Sequence, residues 1–355
     1  MILVTGARGH VGANLAWALS AQGANLRLLV RPGSDVSFLE PLHAEIVRGD
    51  LTDPAACRDG VRGVRQIYHC AAQISTHYSG TPRASRERSG AVHNDIFHNN
   101  VIGTANLLRA AAEAGVERVV VTGSFSATGH RDDKPSDETE PFNPLEQHLP
   151  YAYTKAAVEH ECLKAVADGL DVVIAVSCAV LGPRDFLMSR MGQVLVRFAR
   201  RRVLAYVPGG FEFVATRDIV QGHMLAMEKG RAGHKYIFGT RFAEFDEIMD
   251  IFSRVTGQPK PPVRVPVPLM SAVARVVEPV MKMVLPNKPQ LLTPAAIRLL
   301  DMRRSADCSK AREQLGYRPT DIESAIEAAY GWFVDRGVIT SGRSHFGKLT
   351  GSGDQ

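Results

Sequence analysis

Cysteine is scarce and irregularly placed. The chain of 355 residues holds five, at positions 57, 70, 162, 178 and 308. The number is odd and no spacing is that of a metal-ligand set. This argues against a disulfide framework or zinc knuckle and points to structural thiols in a reducing compartment. No histidine pair has H-x-H or H-x-x-x-H spacing, so no metal site is expected. No uninterrupted apolar run reaches the roughly 20 residues of a membrane span. Charge of one sign is not dominant either: 42 Lys and Arg stand against 37 Asp and Glu, a net charge of +5. That excess is too small and dispersed for nucleic acid, and no basic stretch is interleaved with aromatics. The chain opens directly on a strand, so no leader peptide and a cytoplasmic location are expected. At 45% hydrophobic, the composition is that of an ordinary globular protein, and the length suits one large domain with a smaller one appended.

What is present begins at residue 1. The run M-I-L-V-T reads as a short buried strand and leads into G-A-R-G-H-V-G at 6–12, then into an Ala/Leu-rich helix over 13–21. A strand, a glycine-punctuated turn and a helix form the opening of a nucleotide-binding βαβ unit. The three glycines have separate tasks: a sharp turn, close approach of backbone N–H groups to a pyrophosphate, and close packing of helix on strand. The helix N-terminus faces the anion with unpaired donors and a positive dipole end. Gly6, Arg8, Gly9, His10, Val11 and Gly12 are therefore candidate cofactor residues.

A second strand, 25–30, ends at Arg31-Pro32-Gly33-Ser34. An acidic residue at this strand end accepts hydrogen bonds from the adenosine ribose, whereas a basic one receives a 2′-phosphate. Arg31, with Ser34 nearby, favours NADP(H), with NAD(H) the alternative. A third strand, 45–51, ends in Asp50-Leu51. Thr52-Asp53-Pro54 then starts a helix reaching Gly60. The fourth strand, 66–72, ends in Ala71-Ala72, small enough for a flat cofactor to lie against its tip. From 73 to 98 the pattern dissolves into a polar stretch that could line a substrate cleft or be a solvated excursion. A long helix continues to Gly115.

The fifth strand, 116–121, precedes Thr122-Gly123-Ser124. An acidic, Pro-rich loop over 132–144 leads to P-Y-A-Y-T-K at 150–155, opening a helix to about 168. A sixth strand covers 171–177, followed by Cys178. The alternation to about residue 180 predicts an α/β fold with a doubly wound parallel sheet. Beyond it the periodicity breaks. Helices are expected at 189–202, 218–229, 242–255, 310–316 and 322–336, a strand at 235–238 and a turn-rich stretch at 204–213. The segment 217–240 is expected to return to the first domain. Residues 268–285 read as a helix, apolar on one side, that serves as lid, packing element or peripheral membrane contact. The tail beyond 337 is expected to be disordered.

Ser124, Tyr151 and Lys155 belong together chemically. Reducing a ketone needs a hydride from a dihydronicotinamide and a proton from the protein. A free tyrosine, with a pKa of about 10, is too weak an acid for easy exchange near neutrality. One helical turn separates Tyr151 from Lys155, so both lie on one face. The ammonium there, together with the positive nicotinamide ring of the oxidised cofactor, is expected to favour the phenolate and lower its pKa. Ser124 can donate to the same substrate oxygen.

Together these pieces resemble the extended short-chain dehydrogenase/reductases, also called the NAD-dependent epimerase/dehydratase family. The match runs through T-G-A-R-G-H-V-G (5–12), G-D-L (49–51), H-C-A-A (69–72), N-V-I-G-T-A-N-L-L (100–108), T-G-S (122–124), P-Y-A-Y-T-K (150–155) and L-G-P-R (181–184). It continues in R-D-I-V-Q-G-H (217–223) and K-A-R-E-Q-L-G-Y-R-P (310–319). V-R-P-G-S-D (30–35) is most similar to the dihydroflavonol 4-reductase and 3β-hydroxysteroid dehydrogenase branch. The resemblance implies a Rossmann fold over 1–180, a smaller mixed α/β C-terminal substrate domain over 181–337, and a homodimer through the helices at about 96–114 and 151–168. It also implies Asp50 and Leu51 at the adenine, Ala71 and Ala72 near the nicotinamide-side ribose, Tyr151 and Lys155 on the cofactor, and the backbone after Cys178, including Val180, near the carboxamide. Two departures stand out. Gly123-Ser124 replaces the frequent Ser-Ser, with Ser126 a nearby competitor. A-T-G (127–129) and S-C-A-V-L-G-P (177–183) replace the V-Y-G and R-P-x-x-V-Y-G-P of sugar-nucleotide epimerases. The expected activity is reduction of a ketone or aldehyde, or oxidation of the alcohol, on a hydrophobic small molecule. The alternatives are a nucleotide-sugar epimerase/dehydratase with bound NAD and a non-catalytic NAD(P)-sensing regulator.

Overall fold

The computed structural model describes residues 1–74, 95–131, 133–142, 150–284 and 293–340. The polar stretch expected to line a substrate cleft lies mostly outside these residues, as do 132 and 143–149 around the acidic loop and the tail from 341. Strands β1 (Ile2–Thr5), β2 (Leu26–Val30), β3 (Glu45–Arg48), β4 (Gln66–His69), β5 (Arg118–Ser124) and β6 (Val172–Ser177) follow the expected alternation. Three short strands come next: β7 (Ala179–Leu181), β8 (Ala205–Tyr206) and β9 (Gly210–Ala215). Then come β10 (Lys235–Phe238), β11 (Arg241–Glu244) and β12 (Val263–Arg264).

A seven-stranded sheet has the order β10-β6-β5-β4-β1-β2-β3, and its pairings are parallel. The strands are Val-, Ile- and Leu-rich, and Val119 to Val121 and Val172 to Val176 are almost wholly buried. Such continuous burial is what helices on both faces of a parallel sheet produce. Helix α1 (His10–Ala21) lies on one face. Helices α2 (Pro54–Val61), α3 (Gly103–Glu113) and α4 (Pro150–Ala167) pack in a row on the other. Asp53 caps α2, accepting from the Ala55 N–H at 2.9 Å with Pro54 in the first turn, as the local sequence dictates.

The second half contains α5 (Arg190–Ala199), α6 (Thr216–Lys229), α7 (Phe245–Thr256), α8 (Val267–Val284), α9 (Pro294–Asp301), α10 (Ser309–Leu315) and α11 (Ile322–Asp335). Helix α6 packs against α1 and the sheet. A separate core gathers Leu195, Phe198, Phe213, Ile248, Phe252, Ile326 and Phe333 around β7, β9 and β11. The 204–213 stretch, expected to be turns, carries β8 and most of β9, and α9 had no counterpart in the periodicity. Arg304, 6% exposed, docks this half onto the first. Its Nη2 donates to the carbonyls of Phe125 (3.2 Å), Thr128 (2.5 Å) and Gly129 (3.0 Å), just beyond the tip of β5.

Candidate active site

The chain runs β1, β2, β3 in one direction, then returns to place β4 on the other side of β1. Such a reversal opens a crevice at the carboxyl ends of the strands. Here it is a cleft of about 220 Å³, lined by 6–9, 29–31, 34, 49–51, 70–73, Asn99, Asn100 and Leu187. At its base Gly6 has φ +71, and a Cβ there would lie 2.5 Å from the Ala71 nitrogen. Only glycine fits where the tips of β1 and β4 meet. A Cβ on Gly12 would lie 2.3 Å from the Gly6 carbonyl oxygen. Gly9 is the N-cap of α1 and has no side chain to satisfy the first-turn N–H groups, which leaves a natural anion seat.

The turn after β2 follows from its sequence. Pro32 sets φ, Gly33 takes φ +72, and the Ser34 N–H donates to the Arg31 carbonyl at 3.2 Å. Two guanidinium groups converge on Ser34: Arg8 Nη1 donates to its Oγ (3.0 Å) and Arg48 Nη1 to its carbonyl (3.1 Å). Arg31 itself is exposed at the cleft edge. The buried Arg8 Nε has no partner among the described residues. Asp50 Oδ1 accepts from the backbone N–H and hydroxyl of Thr52, at 2.9 and 2.8 Å. The cleft thus brings together Gly6, Arg8, Gly9, Arg31, Ser34, Asp50, Leu51, Ala71 and Ala72. His10, Val11, Gly12, Cys178 and Val180 do not line it. The His10 ring instead meets the carbonyls of Gly182 and Pro183, Cys178 is a buried thiol, and Val180 pairs with Val214. A glycine-floored cradle, a free helix N-terminus and an orphaned arginine nitrogen suit a dinucleotide with anionic groups.

Ser124 ends β5, opposite Ser177 of β6. Its Oγ lies 2.8 Å from Ser126 Oγ and caps the following turn by accepting from the Ser126 N–H at 3.3 Å. The two hydroxyls are therefore partners. Lys155, 4% exposed, donates from Nζ to the Thr122 carbonyl at 2.7 Å. Burial pulls its pKa down to about 8. For Tyr151 the protein's own groups act alone, without the nicotinamide charge that forms part of the expectation. Burial pushes its phenol up to about 12, with a Ser124 hydrogen bond pulling the other way. In the protein's own charge set the Lys155 ammonium is turned to the strand carbonyl, and desolvation of the phenolate wins.

Sequence reasoning missed Asn100. The helix through 95–113 contains a π turn, His98–Ile102, an irregularity frequent at functional sites. Its extra residue brings consecutive Asn99 and Asn100 to the cleft. Asn100 accepts from the Gln73 N–H at 2.7 Å. It donates to the Gln73 carbonyl at 3.0 Å and to Thr154 Oγ1 at 3.1 Å, joining the cleft wall to the residue before Lys155. Two buried histidines support the same region. The Thr104 hydroxyl donates to the Asn100 carbonyl (2.5 Å), so it accepts from His69 Nε2 (2.8 Å), and His69 Nδ1 accepts from Thr5 (2.6 Å). His223 Nδ1 faces the Ile219 carbonyl (2.7 Å) and must carry the proton, so Nε2 accepts from Thr122 (2.7 Å). Burial lowers the two imidazoles to about 3 and about 4.

Similarity to known proteins agrees with this architecture. Residues 2–239 match the model of the NAD dependent epimerase/dehydratase family. The chain is 38% identical to a "Sterol demethylase protein B" of Methylococcus capsulatus, covering 95% of this chain and 99% of that protein. It is 32% identical to a "Putative dihydroflavonol 4-reductase" of Synechocystis, covering 95% of each. Among solved structures, gox2253 superposes with a TM-score of 0.80 at 32% identity, covering 96% of this chain and 99% of that one. DesIV, a dTDP-glucose 4,6-dehydratase from Streptomyces venezuelae solved with NAD bound, superposes with a TM-score of 0.75 at 25% identity, covering 95% and 98%. The chain belongs to the NAD-dependent epimerase/dehydratase family, the extended short-chain dehydrogenase/reductases, whose members act with NAD(P) on CH–OH and C=O groups.

Proposed function

We propose that this protein is an NADP(H)-dependent reductase of a ketone or aldehyde on a hydrophobic small molecule, or the corresponding alcohol dehydrogenase. The observation that carries the reading is Ser124, Tyr151 and Lys155 at adjoining strand and helix ends, beside a glycine-floored cleft. Bound dihydronicotinamide supplies the hydride. Tyr151 gives its proton to the developing alkoxide, and Ser124 donates a hydrogen bond that holds the same oxygen. Lys155 places a positive charge near the phenol that loses its proton. The 2′-phosphate preference is supported by Arg8, Arg31 and Arg48 around Ser34, with no carboxylate at the end of β2. Hydrophobic substrates are favoured by relatives named for sterols, dihydroflavonols and a farnesylated quinoline ketone.

Replacing Tyr151 by Phe should lower turnover by about 10²- to 10⁴-fold with unchanged NADPH binding. NADPH oxidation against steroid, flavonoid, β-keto acid and aldehyde panels is the measurement. A fully active Tyr151→Phe enzyme refutes the role of the phenol. Turnover of a dTDP- or UDP-sugar with none of the panel ketones refutes the substrate class. We further propose a homodimer through the helices at 96–114 and 151–168, where Tyr153 and Leu163 are 49% and 43% exposed; light scattering on the eluting protein decides it.

A further inference from the structure

Lys155 is a buried cation with little to hold it charged. Among the described residues its Nζ donates to one neutral partner, the Thr122 carbonyl at 2.7 Å. A buried ammonium favours its neutral form unless an anion lies close. The titratable groups facing it come from several elements: His69 in β4 and Cys70 just after it, His223 on α6, and Glu159 and Cys162 on α4 with Tyr151 one turn before. Burial holds both imidazoles neutral, at about 3 and about 4. It pushes the Cys70 thiol up to about 11 and raises the Cys162 thiol further. The Tyr151 phenol, at about 12, is protonated as well. Near pH 8 none of these groups carries negative charge. The carboxylate that acts on the Lys155 ammonium is Glu159.

Glu159 follows Lys155 by four residues, so the two share one face of α4. Helical side chains lean toward the N-terminus of their helix. Lys155 is thereby tipped over the turn of Tyr151, and Glu159 over the turn of Lys155. Glu159 is 1% exposed. Its Oε2 accepts from Lys235 Nζ of β10 at 3.3 Å. Its Oε1 is buried with no hydrogen-bond partner among the described residues. A buried carboxylate oxygen left unpaired costs free energy, so packing does not account for an acid at this position. Burial raises the Glu159 carboxyl, while Lys235, then Lys155 and His160, act to keep it ionised. Phenol, cation, anion and cation thus follow one another from Tyr151 through Lys155 and Glu159 to Lys235, on the edge strand of the main sheet.

We propose that Glu159 is a positioning residue: its buried carboxylate, anchored by Lys235, is the countercharge that keeps Lys155 an ammonium beside Tyr151. The consequence for turnover rests on the reductase reading; the countercharge itself does not. The test therefore follows Lys155 directly, through the NMR resonance of its Cε in full-length protein carrying isotope-labelled lysine. The resonance is identified by its loss in Lys155→Met. In wild type it should titrate near pH 8. Glu159→Gln should lower that midpoint by about one unit, as loss of a nearby opposite charge does. Glu159→Asp keeps the charge and should restore most of the shift. Should Glu159→Gln alone fail to fold, the double variant Glu159→Gln, Lys235→Gln leaves neither partner of the ion pair buried and charged, and it should lower the midpoint in the same direction. The alkaline fall in ketone reduction should move down together with the resonance. A resonance that moves as expected in a protein that reduces no ketone upholds the countercharge and refutes the reductase reading. The proposal is overturned if Glu159→Gln or the double variant titrates like wild type, whatever its melting temperature. It is also overturned if Glu159→Asp and Glu159→Gln shift alike, since the effect would then be one of packing.

Discussion

Arg31 and Arg8 illustrate how one residue position selects a cofactor. Arg31 ends β2 on a turn closed by the Ser34 N–H, and Arg8 reaches the same serine from the glycine turn. Arg8 is spatially fixed, while Arg31 stands exposed and free to meet a ligand. A charge-assisted hydrogen bond contributes about 1.5–3 kcal/mol, which corresponds to roughly a tenfold to hundredfold change in affinity. Arg31→Asp should therefore raise KM for NADPH by that order and leave KM for NADH little changed, because a carboxylate accepts from an unphosphorylated ribose. Steady-state kinetics with both cofactors check this, and an unaltered NADPH/NADH ratio would show that Arg31 does not read the phosphate. Lys155 sets a different limit. Its folded pKa of about 8 means the ammonium is lost as pH rises past 8. The rate of carbonyl reduction should fall above that pH, and in Lys155→Met a pH profile should lose this limb along with most of its activity.

Elements differ in how plainly the sequence announces them. The strands of the main sheet and the helix at 150–167 are visible because buried parallel strands are continuous apolar runs and an N-cap or Pro marks a start. Asp53-Pro54 was readable for this reason. Thr293-Pro294 carries the same signal, with Thr293 Oγ1 accepting from the Ala296 N–H, but the eight residues of α9 are too few to show a helical period of their own. Strands of two to six residues such as β8 and β9 lie among Pro and Gly and have no period of their own. The Ser, Tyr and Lys of the candidate site were legible from spacing, and the strand-tip residues that line the cleft from their place after apolar runs. Asn100 was not, because a π turn breaks the 3.6-residue rule by which helix faces are assigned. Arg304 was not, because its three carbonyl partners lie more than 170 positions away. Removing its side chain takes the donor from the buried Thr128 and Gly129 carbonyls, each costing about 1–3 kcal/mol, while the Phe125 carbonyl keeps the Thr128 N–H. Arg304→Ala should lower the melting temperature by several degrees and reduce kcat more than cofactor affinity, since the 125–129 segment adjoins Ser124 and lies away from the glycine turn. Thermal melts with parallel NADPH titrations decide it; equal losses in both would mean only general unfolding.

At the scale of the whole molecule, the polar supports beneath the site make stability depend on pH. His69 and His223 are fully sequestered and neutral, with folded pKa values of about 3 and about 4 against an ordinary 6.5. Below pH 6.5 the unfolded chain takes up protons there that the folded chain refuses. Stability must fall as pH drops from 6.5 toward 4, by at most about 1.4 kcal/mol per pH unit for each imidazole. Glu212 acts in the opposite sense. Burial raises its carboxyl from 4.5 to about 7, so the folded chain keeps a proton that the unfolded chain releases above 4.5, and this contribution is lost as pH rises from 4.5 to 7. Burial also raises Glu138 and Glu159 in the sense of Glu212 and lowers His234 in the sense of the other imidazoles, each less strongly. Among the large shifts two favour the higher pH between 4.5 and 6.5 and one the lower, so the histidines prevail. The melting temperature should therefore decline steadily on acidification across this window. His223→Gln should melt lower than wild type at pH 7 with a shallower acid decline, because one of the two proton-refusing sites is gone. Glu212→Gln should steepen the decline by removing the opposing group. Melting curves at half-unit pH steps would separate the three proteins, and parallel declines in all of them would place the acid sensitivity in other residues.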